Sequence, residues 1–252
     1  MAARLAKDAR IILPGKAKRP YPTVLFFHGC GGVHANANEW AKGFAQVGFA
    51  TIVVDSLKPR GMKNPQKVDQ ICKGHILPGS DRAADVLAMI GWARKQSWAN
   101  KNEIYVVGWS HGGWAVLEFL ARDVAHTPLP GTRNVPASVN ADLRAVKGAI
   151  LFYPYCGPAS KAAQSGLKYL PPTLMMLAGK DRVVSTPACI KLANSQMKRG
   201  WPVITKVYDR ARHSFDTPLK ADGTPNPDFS KAATGRSMHD IVKFLQKVKT
   251  LN

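Results

Sequence analysis

The chain is short of acid. Its 252 residues hold 16 Asp and Glu against 36 Lys and Arg, a formal net charge of +20, and the isoelectric point lies near 10.1. Such an excess concentrates anions around the surface and admits nucleic acid, anionic surfaces or acidic substrates as partners. Two further absences narrow that choice. There is no run of five or more basic residues and no arginine-rich helix, and aromatic residues make up only 8%. The charge is therefore read as a solvated basic surface, and nucleic acid is not expected as a partner.

Long apolar runs are missing as well. Nothing approaches the roughly 18 to 20 residues that span a bilayer, and the opening MAARLAKDARIILPGK lacks the apolar core of a secretory signal. A soluble chain without membrane contact is expected. Cysteine is scarce, at four residues, and no spacing makes a CxxC, which excludes the common zinc and redox motifs. With 45% apolar residues the chain can bury a core that needs neither a metal nor disulfides to fold; separately, the serine chemistry read below implies no metal or cofactor.

What is present is a set of short apolar runs: TVLFF (23–27), FATIVV (49–54), EIYVV (103–107), GAILFY (148–153), TLMMLA (173–178) and VITKVY (203–208). Most are continuous rather than alternating, the pattern of parallel strands covered on both faces. Helix-like stretches separate them, at 36–48, 80–96, 111–125, 187–200 and 229–249. The second has Ser80 or Asp81 as its predicted N-cap, with Asp85 in the first turn. Alternating βα units of this length predict an α/β fold, an open and mostly parallel sheet with helices on both faces, as a single domain over 1–252. In such sheets ligands bind beyond the carboxyl ends of the strands. The long loops 56–80 and 216–228 leave such ends and are expected to wall a site.

The stretch IYVVGWSHGGWAVLEFL (104–120) passes from strand to glycine-bracketed serine to amphipathic helix. A G-x-S-x-G match alone is weak, and a helix-capping serine fits it equally well. In this context it predicts an elbow that lifts Ser110 clear of the sheet. A serine hydroxyl needs a histidine base and an acid to orient that base, and α/β-hydrolases carry them in the order Ser, Asp or Glu, His. Asp181 in LAGKDRVVS and His213 in YDRARHSFDTP each follow a strand and satisfy that order. His28 and Asp55 are read as loop organisers, His34 and His75 as exposed loop residues, and His126 and His239 as lying on a helix end and a late helix. Asp209 and Asp216 are weaker acids for the role than Asp181. The oxyanion donors are expected to be the backbone N–H groups of His111 and Cys30, the latter in the glycine-rich HGCGG (28–32).

With HGCGG (28–32), VVDSLKPRG (53–61), GWSHGG (108–113), AGKD (178–181) and RHSFD (212–216), the chain resembles the dienelactone hydrolase family of α/β-hydrolases over nearly its whole length. The resemblance implies a hydrolase of esters or lactones with nucleophile, acid and base at Ser110, Asp181 and His213. The namesake enzymes use a cysteine where this chain has Ser110, so a general carboxylesterase is the expectation. Family members with anionic substrates hold the carboxylate with arginines, and Arg60, Arg82 and Arg182 are the candidates by loop position. Only about nineteen residues separate the run ending at Tyr153 from the one beginning at Thr173, by a boundary reading good to a few residues. No separate cap domain fits there.

Cys30, Cys72, Cys156 and Cys189 all follow strands, which gathers them on one edge of the sheet. Four cysteines allow three pairings. Cys30 with Cys72 and Cys156 with Cys189 are favoured, since each joins neighbouring loops, against the alternative of four free thiols. Bridging would argue for the periplasm or secretion. Two other readings stand beside the esterase: a basic polyanion-binding protein on a hydrolase scaffold, and a peptidase or acyltransferase using the same side chains.

Overall fold

The computed structural model describes residues 1–220 and 222–251. Ala221, in the predicted wall loop 216–228, and Asn252, at the end of the predicted domain, lie outside the described residues. In chain order the elements are α1 (Ala2–Asp8), β1 (Arg10–Ile12), β2 (Tyr21–Phe27), α2 (Ala35–Gln46), β3 (Ala50–Val54), α3 (Pro65–Cys72), α4 (Gly79–Ala93), β4 (Ala99–Trp109), α5 (His111–Ala121), α6 (Val139–Ala145), β5 (Val146–Phe152), α7 (Lys161–Ser165), β6 (Thr173–Ala178), α8 (Thr186–Met197), β7 (Val203–Tyr208) and α9 (Lys231–Leu251). A short 3₁₀ turn occupies Lys58–Arg60.

The strands form one sheet in the order β1-β3-β2-β4-β5-β6-β7. Only β1 runs antiparallel, pairing with β3 along the edge, and every other pair is parallel. The continuous apolar runs now have their cause, because alternate residues of each strand enter two different cores. Leu25, Phe27, Ile52, Val106 and Leu151 face the side covered by α4 and α5. Val24, Phe26, Val53, Val107 and Phe152 face the side covered by α2 and α9. Fully burying one such side chain stabilises the fold by about 1.5–3 kcal/mol.

The segment between β5 and β6 holds only the five-residue α7, so no separate cap covers the sheet edge. Three details differ from the expectation. The helix predicted from Ser80 or Asp81 starts earlier, at Gly79 behind Pro78, and neither predicted residue caps it with its side chain, because the Ser80 hydroxyl donates to Asp81 instead. The loop 56–80 contains α3, capped by Asn64, which accepts from Lys67 N. The antiparallel edge strand β1 is three residues long, too short for a period to register. Among the described residues no helix is long and apolar enough to cross a membrane.

Candidate active site

The sharp turn between β4 and α5 explains the glycines around Ser110. Ser110 has φ 49° and ψ −112°, a backbone that side chains rarely adopt. A Cβ on Gly108 would stand 2.6 Å from the Gly112 carbonyl oxygen, and one on Gly112 would collide with the carbonyl oxygens of Phe27 and His28. The two glycines thus let the first turn of α5 lie directly on β2 and β4. Trp114 N donates to Ser110 O at 2.9 Å, closing the first turn of the helix, so the amides of His111, Gly112 and Gly113 precede the intrahelical ladder.

The structure brings Ser110, His213 and Asp181 together. His213 Nε2 lies 2.9 Å from Ser110 Oγ, and its Nδ1 lies 2.8 Å from Asp181 Oδ2. Asp181 divides its work: Oδ1 accepts from Val183 N at 2.8 Å and Val184 N at 2.9 Å, which fixes the turn after β6, while Oδ2 faces the imidazole. Its side chain is buried and that of His213 is 11% exposed, so the pair is shielded while the imidazole still reaches the cleft. Tyr153, just past β5, sets its ring 4.6 Å from the His213 ring.

Ser110, His213 and Tyr153 line a cleft of about 470 Å³ at the carboxyl ends of the strands, with Asp181 buried behind His213. Loop 28–32 forms one wall, with Cys72, Lys73 and Gly74 from the 56–80 loop beside it. Opposite stand Tyr155, Val183 and Val184, from the exits of β5 and β6. The 216–228 loop supplies Thr217 to the lining. No Asp or Glu is among the lining residues, and Lys73 is the one Lys or Arg there among the described residues. His34, expected to be exposed, is half-buried in the wall at the start of α2, where burial lowers its pKa. Its place after a glycine-rich strand exit was the signal for it, as position past a strand end was for Tyr155 and Val184.

Both bridges have the expected pairing, Cys30 with Cys72 and Cys156 with Cys189. The first ties the 28–32 loop to the end of α3, and the second ties the β5 exit to α8. Asp55 and His28 order loops as expected: Asp55 Oδ1 accepts from Leu57 N and Lys58 N, and His28 Nε2 accepts from Ser56 N at 3.0 Å. Burial first, and the Arg82 charge second, depress His28 to about 3, so its ring is neutral.

The three arginines are not where a substrate carboxylate would meet them. Arg60 is spent on Asp85, with Nη2 at 2.7 Å and Nη1 at 3.0 Å from its two oxygens. Arg82 has no exposed surface: it lies beneath the floor, giving Nη2 to the His28 carbonyl at 2.9 Å and holding Nη1 3.0 Å from His111 Nδ1. Burial pushes its pKa down to about 10. Arg182 is exposed and outside the cleft lining, though Val183 beside it is inside. A guanidinium in the first turn of a helix reads as a surface group in sequence, and nothing there signals that α4 turns Arg82 under the elbow. Among the described residues no cluster of three or more His, Cys, Asp or Glu is arranged to hold a metal ion.

A comparison with curated proteins found no match. Solved structures share the fold. A promiscuous dienelactone hydrolase-like phosphotriesterase from metagenomic libraries is 15% identical with a TM-score of 0.72, over 95% of this chain and 92% of that one. The thermophilic esterase Est2 of Thermogutta terrifontis, with propionate bound, is 17% identical with a TM-score of 0.67, over 95% and 89%. The same organism's esterase 2 phosphorylated by paraoxon is 18% identical with a TM-score of 0.69, over 95% and 88%. The sequence model of the dienelactone hydrolase family matches residues 8–128 and 134–249. The chain belongs to the dienelactone hydrolase family, a family of hydrolases.

Proposed function

We propose that the protein is a serine hydrolase of carboxylic esters or lactones, a single α/β-hydrolase domain working through an acyl-enzyme. The observation that carries this reading is the unbroken hydrogen-bond path from Ser110 Oγ in an open cleft through His213 to the buried Asp181. His213 Nε2 takes the Ser110 proton as Oγ attacks the acyl carbon, and Asp181 stabilises the imidazolium. The N–H groups of His111 and Cys30 receive the developing oxyanion, at a helix N-terminus that favours negative charge. His213 returns its proton to the leaving alcohol, then draws one from water as hydroxide attacks the acyl carbon, and hands that proton to the departing Ser110 Oγ as the acid is released.

The substrate is a small ester or lactone; among the described residues no carboxylate lines the cleft, and the one lysine that does, Lys73, shares its ammonium with Asp69 at 2.7 Å in an exposed pair. Phosphotriesters are a second class of electrophile for the same hydroxyl, a reading supported by the descriptions of the metagenomic phosphotriesterase and the paraoxon-treated esterase. The two disulfides support a periplasmic or secreted location, where such bonds persist.

Hydrolysis of p-nitrophenyl esters of two to eight acyl carbons tests the reading. Wild-type protein turns over the short esters, and Ser110→Ala loses about 10⁴-fold or more while keeping its melting temperature. Turnover retained in S110A rejects the proposal.

A further inference from the structure

Asp216 is the acid that the sequence sets beside His213 and that the imidazole does not use. It is 3% exposed, and its neighbours are four neutral donors. Oδ2 accepts from Trp109 Nε1 at 2.8 Å, Trp40 Nε1 at 2.9 Å and Asn36 Nδ2 at 3.2 Å, and Oδ1 accepts from the Tyr153 hydroxyl. An indole N–H can only donate, so this carboxylate is the acceptor at the centre of the group. Burying such a group is costly unless donors surround it, and here they come from separate parts of the site.

Each donor belongs to a piece of backbone that must be in register. Trp109 immediately precedes Ser110. Tyr153 follows β5, and its ring lies 4.6 Å from the His213 ring. Asn36 and Trp40 open α2, directly after the loop that carries Cys30. Asp216 itself closes the turn three residues beyond His213.

Three of the four non-glycine residues with positive φ among the described residues meet at this junction: Ser110 at 49°, Tyr153 at 36° and Ser214 at 59°. Backbones of that kind persist only where the surroundings over-determine them. The carboxylate accepts from the neighbour of the first and from the side chain of the second, and it is carried by the turn of the third.

We propose that Asp216 is a positioning residue, a clamp that holds the Ser110 turn and the His213 turn at hydrogen-bond distance through Trp109 and Tyr153. The proposal rests on the reading of Ser110 as nucleophile and His213 as base. Both tryptophans and Asn36 share one oxygen, so asparagine keeps most of the clamp. Its carbonyl serves those three donors while its amide donates to Tyr153, whose hydroxyl turns to accept. Alanine removes everything.

The test compares wild type, Asp216→Asn, Asp216→Ala and Tyr153→Phe by three readouts: kcat and KM for p-nitrophenyl acetate, the rate of labelling by a fluorophosphonate, and the downfield proton resonance of His213 Nδ1–H. A displacement of about 1 Å is worth ~100-fold, so D216A is expected to lose about that in kcat and in labelling rate. Its KM stays within about threefold, and its downfield resonance is lost. D216N is expected to keep the resonance and stay within about tenfold of wild type, the rescue that a geometric clamp predicts. Should D216A not fold, Y153F removes one hydroxyl and leaves the ring in place. It is expected to lower kcat and labelling about three- to tenfold and, because Asp216 Oδ1 loses its donor, to melt a few degrees lower while staying folded.

A folded D216A or Y153F with wild-type labelling and an intact resonance overturns the clamp, and so does an equal loss in D216N and D216A. A wild-type protein that shows the resonance yet neither labels nor hydrolyses overturns the esterase reading instead, and the resonance in D216A still decides the role of Asp216.

Discussion

Arg82, wholly buried, holds its Nη1 3.0 Å from Nδ1 of His111, the residue after the serine of the elbow. The other end of the fork meets the carbonyl of His28, which opens the loop carrying Cys30. One guanidinium thus ties together the two segments whose N–H groups are proposed to receive the oxyanion. Replacing it with methionine removes a buried cation, which is favourable, and leaves two acceptors unpaired, which is not. The two effects oppose each other, so Arg82→Met is expected to change stability by no more than about 2 kcal/mol while lowering ester turnover at least tenfold. Denaturant titration beside steady-state kinetics checks both halves. Unchanged turnover in R82M removes Arg82 from the account of the site.

Acid should weaken the fold before it reaches most carboxylates. His28 is held neutral to about 3 by burial and the Arg82 charge, and His111 is shifted well down by burial and the same charge. In the unfolded chain these rings protonate below about 6.5. Between those values the unfolded state binds more protons, so stability is lost as pH falls through that window. Melting temperatures at pH 7, 5.5 and 4.5 are expected to decline steadily, and a flat profile contradicts the assignment of neutral, buried rings.

The disulfides should matter unequally to activity. Their sequence separations are 42 and 33 residues, and loops of that size stabilise by about 2–4 kcal/mol each. Freshly purified, unreduced protein should present no reactive thiol in denaturant, whereas four would contradict both bridges. Paired serine substitutions at Cys30 and Cys72 are expected to cost turnover as well as stability, because Cys30 sits in the cleft wall. The same change at Cys156 and Cys189 should cost mainly stability.

Two glycines give opposite expectations. Gly235 is exposed in the second turn of α9 with nothing within 4 Å of a new Cβ, so Gly235→Ala should stabilise by about 0.5–1 kcal/mol. At Gly112 a Cβ meets the carbonyl oxygens of Phe27 and His28. Gly112→Ala should cost more than about 4 kcal/mol or give no soluble protein. A well-folded G112A shows that α5 does not pack on β2 as described.

Strands such as TLMMLA were legible because a residue buried on either face leaves an unbroken apolar run, and all six assigned runs lie in the sheet. Chain order singled out Ser110, Asp181 and His213 as the groups that would meet, since the topology fixes which strand ends are neighbours. The same argument paired the cysteines. Arg82 was out of reach for a different reason: whether a first-turn arginine points to water or under the sheet depends on helix orientation, which the local sequence does not encode. Asp216 was hidden more deeply. Its donors come from positions 36, 40, 109 and 153, and only the assembled sheet brings them to one oxygen pair.

The central claim is that Ser110 is a nucleophile, and covalent capture tests it most directly. Wild-type protein and S110A are treated with a fluorophosphonate, digested and mapped by tandem mass spectrometry. The account predicts one adduct, on Ser110, in step with loss of ester turnover and absent from S110A. An adduct on another residue, equal labelling of S110A, or no adduct on active wild-type protein would contradict it.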